Sequence, residues 1–209
     1  NLRGTQVGEI ADFNGDGSLD YRRVRPFDES TLLSPSTTMA GKSTRFYGGV
    51  RATYYGTDIA RPFSRFMVRN VAGDPVQIAT DLSHGGEKSL YGAVVWRAQD
   101  FMGLEDGEFA TFAHADDAMT LSVATESGAV TPAFRFLVKT GGRYYVSLYQ
   151  GSPTDGTSAT LFSLSNPAAA AWAPYDPAAD LVFDVATASF TPIAFEAIEA
   201  AGYLFEIGA

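Results

Sequence analysis

The sequence predicts an all-β fold: a single antiparallel, jelly-roll-like β-sandwich. Three observations predict it. Short β-rich runs are separated by turn signals roughly every 8 to 15 residues. Strands alternating with long amphipathic helices, the mark of a parallel α/β sheet, are missing. The composition is 45% hydrophobic and 13% aromatic with only 19% charged, which is enough apolar mass for a packed core. With 209 residues the chain fits one domain over 1–209, whose first 28 residues form an N-terminal segment with an acidic loop.

Taken in order, residues 7–10 and 21–24 are extended stretches flanking that loop. Strands are expected at 46–56 (FYGGVRATYYG), 63–69 (FSRFMVR), 76–82 and 90–97 (LYGAVVWR), then at 109–114 and 119–125. Residues 134–149 (FRFLVKTGGRYYVSLY) read as a hairpin closed at Thr140-Gly141-Gly142. In it Phe134, Phe136 and Val138 alternate with Arg135 and Lys139. On the return run Tyr144, Val146 and Leu148 alternate with Arg143, Tyr145, Ser147 and Tyr149. Further strands are expected at 159–163, 181–185 and 202–207. Helical signal is confined to 167–171 (PAAAA) and 195–201 (FEAIEAA), and strand pairing can override it.

Charge and cysteine content narrow the chemistry. Fifteen Lys+Arg against 24 Asp+Glu give a net charge of −9. Such a chain is a poor partner for nucleic acid, whose binding rests on phosphate neutralisation, or for an anionic membrane surface. No apolar run approaches the length of a membrane-spanning helix. There are no cysteines and two histidines, which excludes disulfides, thiolate metal sites and a Cys nucleophile. The chain starts at Asn1 with no signal peptide, and reads as an excised domain or a mature secreted product.

The sharpest motif is Asp12-Phe13-Asn14-Gly15-Asp16-Gly17-Ser18-Leu19-Asp20. Oxygen side chains fall at relative positions 1, 3, 5 and 9, a glycine falls at position 6, and Ser18 at position 7 offers its carbonyl. Calcium wants six to eight oxygens, and this spacing wraps them round one point, so Asp12, Asn14, Asp16, Ser18 and Asp20 are the expected Ca2+ ligands. The twelfth position is Arg23 instead of a bidentate Glu, so a further ligand would come from water or from Glu9, Asp28 or Glu206. The loop resembles the calcium loops between strands of extracellular β proteins, of the kind also seen in dockerins and integrin-like repeats. Its expected role is to tie the N-terminal segment down, because it holds no general base and calcium activates water weakly.

Catalytic signals are thin. No GxSxG elbow, phosphate loop or dinucleotide fingerprint is present. His84 sits in a loop context and His114 near the end of an expected strand. Glu105, Asp106 and Glu108 cluster on a glycine-containing turn, as solvated acidic loops do. Arg97, Gln99, His114 and Tyr145 are residue types a polysaccharide lyase uses, but no signature joins them. No catalytic residue is therefore assigned.

Binding signals are stronger. Saccharide C–H faces stack on Tyr and Trp, and their hydroxyls bond to charged and amide groups. Arginine outnumbers lysine 12 to 3, and its fork suits carboxylate or sulfate. The expected ligand-binding set is Arg97, Arg135, Arg143, Tyr145, Tyr149 and Trp172. Alternation places Arg97 with Tyr91 and Gln99, opposite a core Trp96. Trp172, in an irregular run, reads either as a stacking platform or as a plug for the end of the sandwich.

The segments Glu9 to Gly17, Phe46-Tyr47-Gly48-Gly49, Phe134 to Lys139 with Arg143 to Ser147, and Trp172-Ala173-Pro174-Tyr175-Asp176-Pro177 resemble secreted β-sandwich domains of polysaccharide-degrading bacteria. They are similar to carbohydrate-binding modules of the jelly-roll, galactose-binding-like type. The resemblance implies a non-catalytic, extracellular, monomeric module that tethers a larger chain to a polysaccharide, acidic ones included, with no nucleic-acid or membrane partner. Two other readings stand beside it: a structural or adhesive sandwich, and a polysaccharide lyase or glycoside hydrolase.

Overall fold

The computed structural model describes residues 7–32, 37–39, 42–44, 46–54, 66–69, 77–80, 88–99, 104–105, 108–125, 132–153 and 156–208. Fourteen strands follow in chain order: β1 Val7–Ala11, β2 Asp20–Leu32, β3 Thr37–Met39, β4 Lys42–Thr44, β5 Phe46–Tyr54, β6 Phe66–Arg69, β7 Gln77–Thr80, β8 Lys88–Arg97, β9 Ala118–Thr125, β10 Ala133–Thr140, β11 Arg143–Gly151, β12 Gly156–Ser165, β13 Trp172–Tyr175 and β14 Ile198–Gly208. The chain is all-β and antiparallel, as its patterning predicts. Eight strands form one sheet in the order β1-β2-β5-β8-β14-β10-β11-β13, and β9 with β12 forms a two-stranded sheet. The pairs β3–β4 and β6–β7 are hairpin excursions between sheet strands.

The β10–β11 hairpin forms where expected. Its turn residues Gly141 and Gly142 have φ of 57° and 73°, a pair of left-handed conformations that suits the strand twist and favours glycine. Of the other expected strands, 109–114 contributes only an isolated bridge at Ala110, and 181–185 is not a strand. The expected helical run 195–201 instead enters β14 at Ile198, because β14 is sandwiched between β8 and β10 and both ladders override the local propensity. Residues 167–171 form turns, with Ala170 N–H donating to the Pro167 carbonyl.

The central strands are buried on both faces. One face carries Leu90, Val94, Phe134, Tyr203 and Phe205, joined by Phe136 and Val138. The β9–β12 layer packs here through Leu121, Val123, Met119 and Leu164. Gly151 makes that approach possible: a Cβ on it would lie 2.4 Å from the Phe162 ring. The opposite face, called the inner face below, carries Ala93, Val95, Leu137, Tyr144, Val146, Ala200 and Leu204. Leu181 and Phe183 from the segment after β13 cover it.

The far half of β2 also folds over the inner face. Laid flat, β2 and β11 would be about 24 Å apart, five strand spacings. Yet Phe27 meets Tyr144 edge-on with ring centroids 5.4 Å apart. Register breaks against β5, between Arg25 and Asp28 and between Asp28 and Leu32, release the strand to do so. Glu29 holds it in place. Its carboxylate accepts from Lys139 Nζ at 2.7 and 3.0 Å and from the Tyr144 hydroxyl at 2.7 Å. The Arg97 guanidinium donates to the Glu29 carbonyl at 2.9 Å. Glu199 lies 3.7 Å from the same Lys139. β1 and β2 belong to the main sheet, so the N-terminal segment is integral to the fold.

Candidate functional site

The acidic loop bridges β1 and β2. Asp12 organises it: Oδ1 accepts from the N–H groups of Gly15 at 2.7 Å and Asp16 at 3.2 Å, and Oδ2 accepts from Gly17 at 2.9 Å. Gly15 and Gly17 take φ of 77° and 85°, which lets the chain coil round that carboxylate. Asn14 and Asp16 bond to each other through their side chains at 3.0 Å. Asp16 also accepts from Ser18 N–H at 2.7 Å, and this bond, followed by that from Asn14, holds its pKa below the ordinary value. Asp20 is fully buried and accepts from Phe13 N–H at 2.9 Å. Among the described residues, no three His, Cys, Asp or Glu side chains are gathered closely enough to hold a metal ion. The loop is thus built round its own N–H groups. Each carboxylate oxygen that accepts one such bond keeps a second lone pair, so the donor set is chemically compatible with a hard cation.

The six residues expected to bind ligand do not share one surface. Cross-strand register puts Arg97 and Arg135 on the inner face, beside Ala200 and Leu204. It puts Tyr145 on the other face, opposite Val138. Tyr145 and Tyr149 are half-buried against the core under the β9–β12 layer, and Tyr149 stacks on Phe136 at 5.8 Å. Arg143 is exposed beside the hairpin turn. Trp172 is corrected from a stacking platform to the plug: it is 0% exposed, its indole N–H donates to the Pro167 carbonyl at 2.8 Å, and its ring meets Phe195. The aromatic run around it signals burial as strongly as it signals a sugar platform.

Arg135 also has a structural task. β11 carries two more residues than β10 across the register break between Arg135 and Leu137. Arg135 donates there to the carbonyls of Ser147 at 3.1 Å and Leu148 at 2.6 Å, and to the Gln150 side chain at 2.6 Å. Ser147, fully buried, accepts from Phe136 N–H and donates to the Tyr149 carbonyl. Burial pulls the Arg135 guanidinium below its ordinary pKa, and the charge of Glu206 opposes that pull.

The inner face divides into two halves. Toward Arg97 and Val95 it is covered by β2, whose Glu29 meets Lys139 and the Arg97 guanidinium beside the apolar cluster. Toward the start of β8 it is polar. Register aligns Arg51, Tyr91 and Glu206 across β5, β8 and β14 in one row. The next row holds Glu9, Arg22, Thr53 and Ser89 across β1, β2, β5 and β8. Arg51 pairs with Asp180 at 2.8 Å, and Arg22 lies 3.7 Å from Glu9 and over the Phe13 ring. Arg135 stands beside this half next to Leu204. Sequence reasoning placed Tyr91 with Arg97 on one face, which the register reproduces, but missed Arg22, Arg51 and Glu206. Only the cross-strand register, which depends on β14 pairing between β8 and β10, brings them together.

The acid–base candidates lie in turns. His114 is exposed, and its backbone N–H donates to the Asp117 carboxylate at 2.9 Å; the Glu105 backbone N–H donates to the Glu108 carboxylate at 2.9 Å. His84 and Asp106 fall outside the described residues. Compared with known proteins, the chain matches no family model, no curated protein and no solved structure.

Proposed function

We propose that this chain is a non-catalytic carbohydrate-binding module of a secreted multidomain protein, with sugar contacts on the polar half of the inner face. The observation that carries the reading is the double row of Arg22, Arg51, Tyr91 and Glu206 on adjacent strands, with Arg135 at its border. Glu206 and the Tyr91 ring, beside guanidinium groups held in place by Asp180 and Glu9, offer saccharide hydroxyls an acceptor and a stacking surface on a rigid sheet without needing a deep cavity. Arginines on the row suit uronate or sulfate groups as well. The jelly-roll resemblance of the sequence belongs to this same proposal.

Calcium is part of the proposal. Asp12, Asn14, Asp16, Ser18 and Asp20 would hold it, with Gly15 and Gly17 supplying the turn. Bound there it would brace the β1–β2 connection, next to the Glu9–Arg22 end of the polar row. Linkage then predicts that EDTA lowers the melting temperature and that Asp16→Ala removes most of that sensitivity. A melting curve indifferent to EDTA would remove calcium from the account.

The site is tested by retention of variants on a glycan that retains the parent chain. Tyr91→Ala and Glu206→Gln should each weaken retention about tenfold with little change in melting temperature. Tyr145→Phe, on the other face, should leave retention unchanged. Retention untouched by both inner-face variants would refute the site.

A further inference from the structure

We propose that the β9–β12 layer is the surface through which two copies of this chain pair, β12 against β12, replacing the monomer expected from the sequence. Two observations converge on it. The first is charge. Neither β9 (AMTLSVAT) nor β12 (GTSATLFSLS) contains a charged residue, whereas every other strand of eight residues or more contains at least one. The chain as a whole carries −9. The outward side of the layer is a ladder of small uncharged groups, with Thr120 opposite Ser163 and Ser122 opposite Leu161. Leu161 is 67% exposed, the most exposed of the large apolar side chains among the described residues.

The second observation is how edges are protected. A free strand edge offers unpaired N–H and C=O groups, and proteins blunt it with proline, charge, shortness or a covering segment. The main sheet does this at both ends. β13 is four residues long, contains Pro174, and is covered by Thr191, which exchanges backbone bonds of 2.8 and 2.9 Å with Trp172. β1 is five residues long and carries Glu9. β12 runs for ten residues with no proline and no charge, longer than the eight of β9, which also lacks both, and among the described residues each is the other's only strand partner.

A second copy fits this edge better than a foreign partner. In a two-fold antiparallel pairing each strand meets its own image, so like charges near the axis face one another. β12 has none to oppose, whereas β1 paired about its centre would set Glu9 against Glu9. A basic partner, the kind a chain of −9 ordinarily attracts, finds no carboxylate on this layer.

Sedimentation velocity on the full chain, from low micromolar to several hundred micromolar, tests the pairing. A monomer–dimer equilibrium is expected. It should tighten several-fold from low to high salt, since two chains of −9 repel. Ser163→Lys and Leu161→Lys, both at exposed positions, should each weaken it about tenfold or more while circular dichroism stays unchanged. Ile10→Lys, exposed on β1, should leave it intact. A chain that stays monomeric throughout, a dimer indifferent to both β12 lysines, or one abolished by Ile10→Lys would overturn the proposal. Each readout is independent of glycan binding.

Discussion

Two glycines in the main sheet are fixed by what sits against them. A Cβ on Gly202 would lie 2.0 Å from the Val94 carbonyl oxygen, and one on Gly92 would lie 2.3 Å from the Phe205 ring. A ring can turn or shift; a backbone carbonyl in the β8–β14 ladder cannot without breaking the pairing. Gly202→Ala should therefore cost about 3 kcal/mol and Gly92→Ala about 1–2 kcal/mol. Thermal melts should show Gly202→Ala lower by about 6–12 °C and Gly92→Ala by less. The reverse order would mean that the Phe205 contact, not the strand spacing, is the tighter constraint. Trp172 belongs to the same scale. Truncating a fully buried indole should cost about 3–5 kcal/mol, and any loss of ligand retention in Trp172→Ala should track unfolding.

Individual elements differ in how openly the sequence announces them. The β10–β11 hairpin is legible because two adjacent glycines punctuate a clean alternation, and local information suffices there. β14 is less so: its first residues favour helix, and only the two neighbouring ladders decide otherwise. The outer half of β2 is illegible locally, because nothing in 25–32 tells that the strand breaks register and folds over the inner face. The candidate site inherits these differences. The acidic loop reads directly from its spacing. The polar row does not, since its members come from β2, β5, β8 and β14 and meet only through register. The burial of Tyr145 and Tyr149 is not legible, because alternation on one strand cannot reveal a second layer packing over it.

The β2 strap makes its own prediction. Burial works to raise the Glu29 pKa, but the bonds from Lys139 and Tyr144 and the charges of Lys139 and Arg97 outweigh it, leaving it below the ordinary 4.5. A carboxylate with a lowered folded-state pKa stabilises fully above its unfolded value and ceases to as pH falls through the folded one. Stability should thus decline on acidification below about pH 4.5, with other paired carboxylates adding to the slope. Glu29→Gln should remove about 1 kcal/mol at neutral pH, a figure that allows for solvent screening, and should flatten the acid limb. Urea titrations from about pH 7 to about pH 3 read both effects. An acid limb as steep in Glu29→Gln as in the parent would show that the strap is held by Phe27 packing alone.

At the scale of the whole molecule, one eight-stranded antiparallel sheet organises the described residues. Its outer face is closed by the β9–β12 layer, whose charge-free side is offered to a second copy. Its inner face is covered at one end by β2, the segment after β13 reaches Arg51 through Asp180, and the other end carries Glu9, Arg22, Tyr91 and Glu206. The polar row on a rigid sheet is the observation on which the proposed binding role rests. The structural or adhesive reading would leave the polar row without a ligand, and a lyase or hydrolase would need a catalytic pair facing it. The most direct test is affinity electrophoresis of the full chain through a panel of neutral and acidic polysaccharides, with and without calcium, while the same mixtures are assayed for reducing ends and unsaturated products. The account predicts retarded migration on at least one glycan, with no product released. Release of product, or free migration through every glycan, would contradict it.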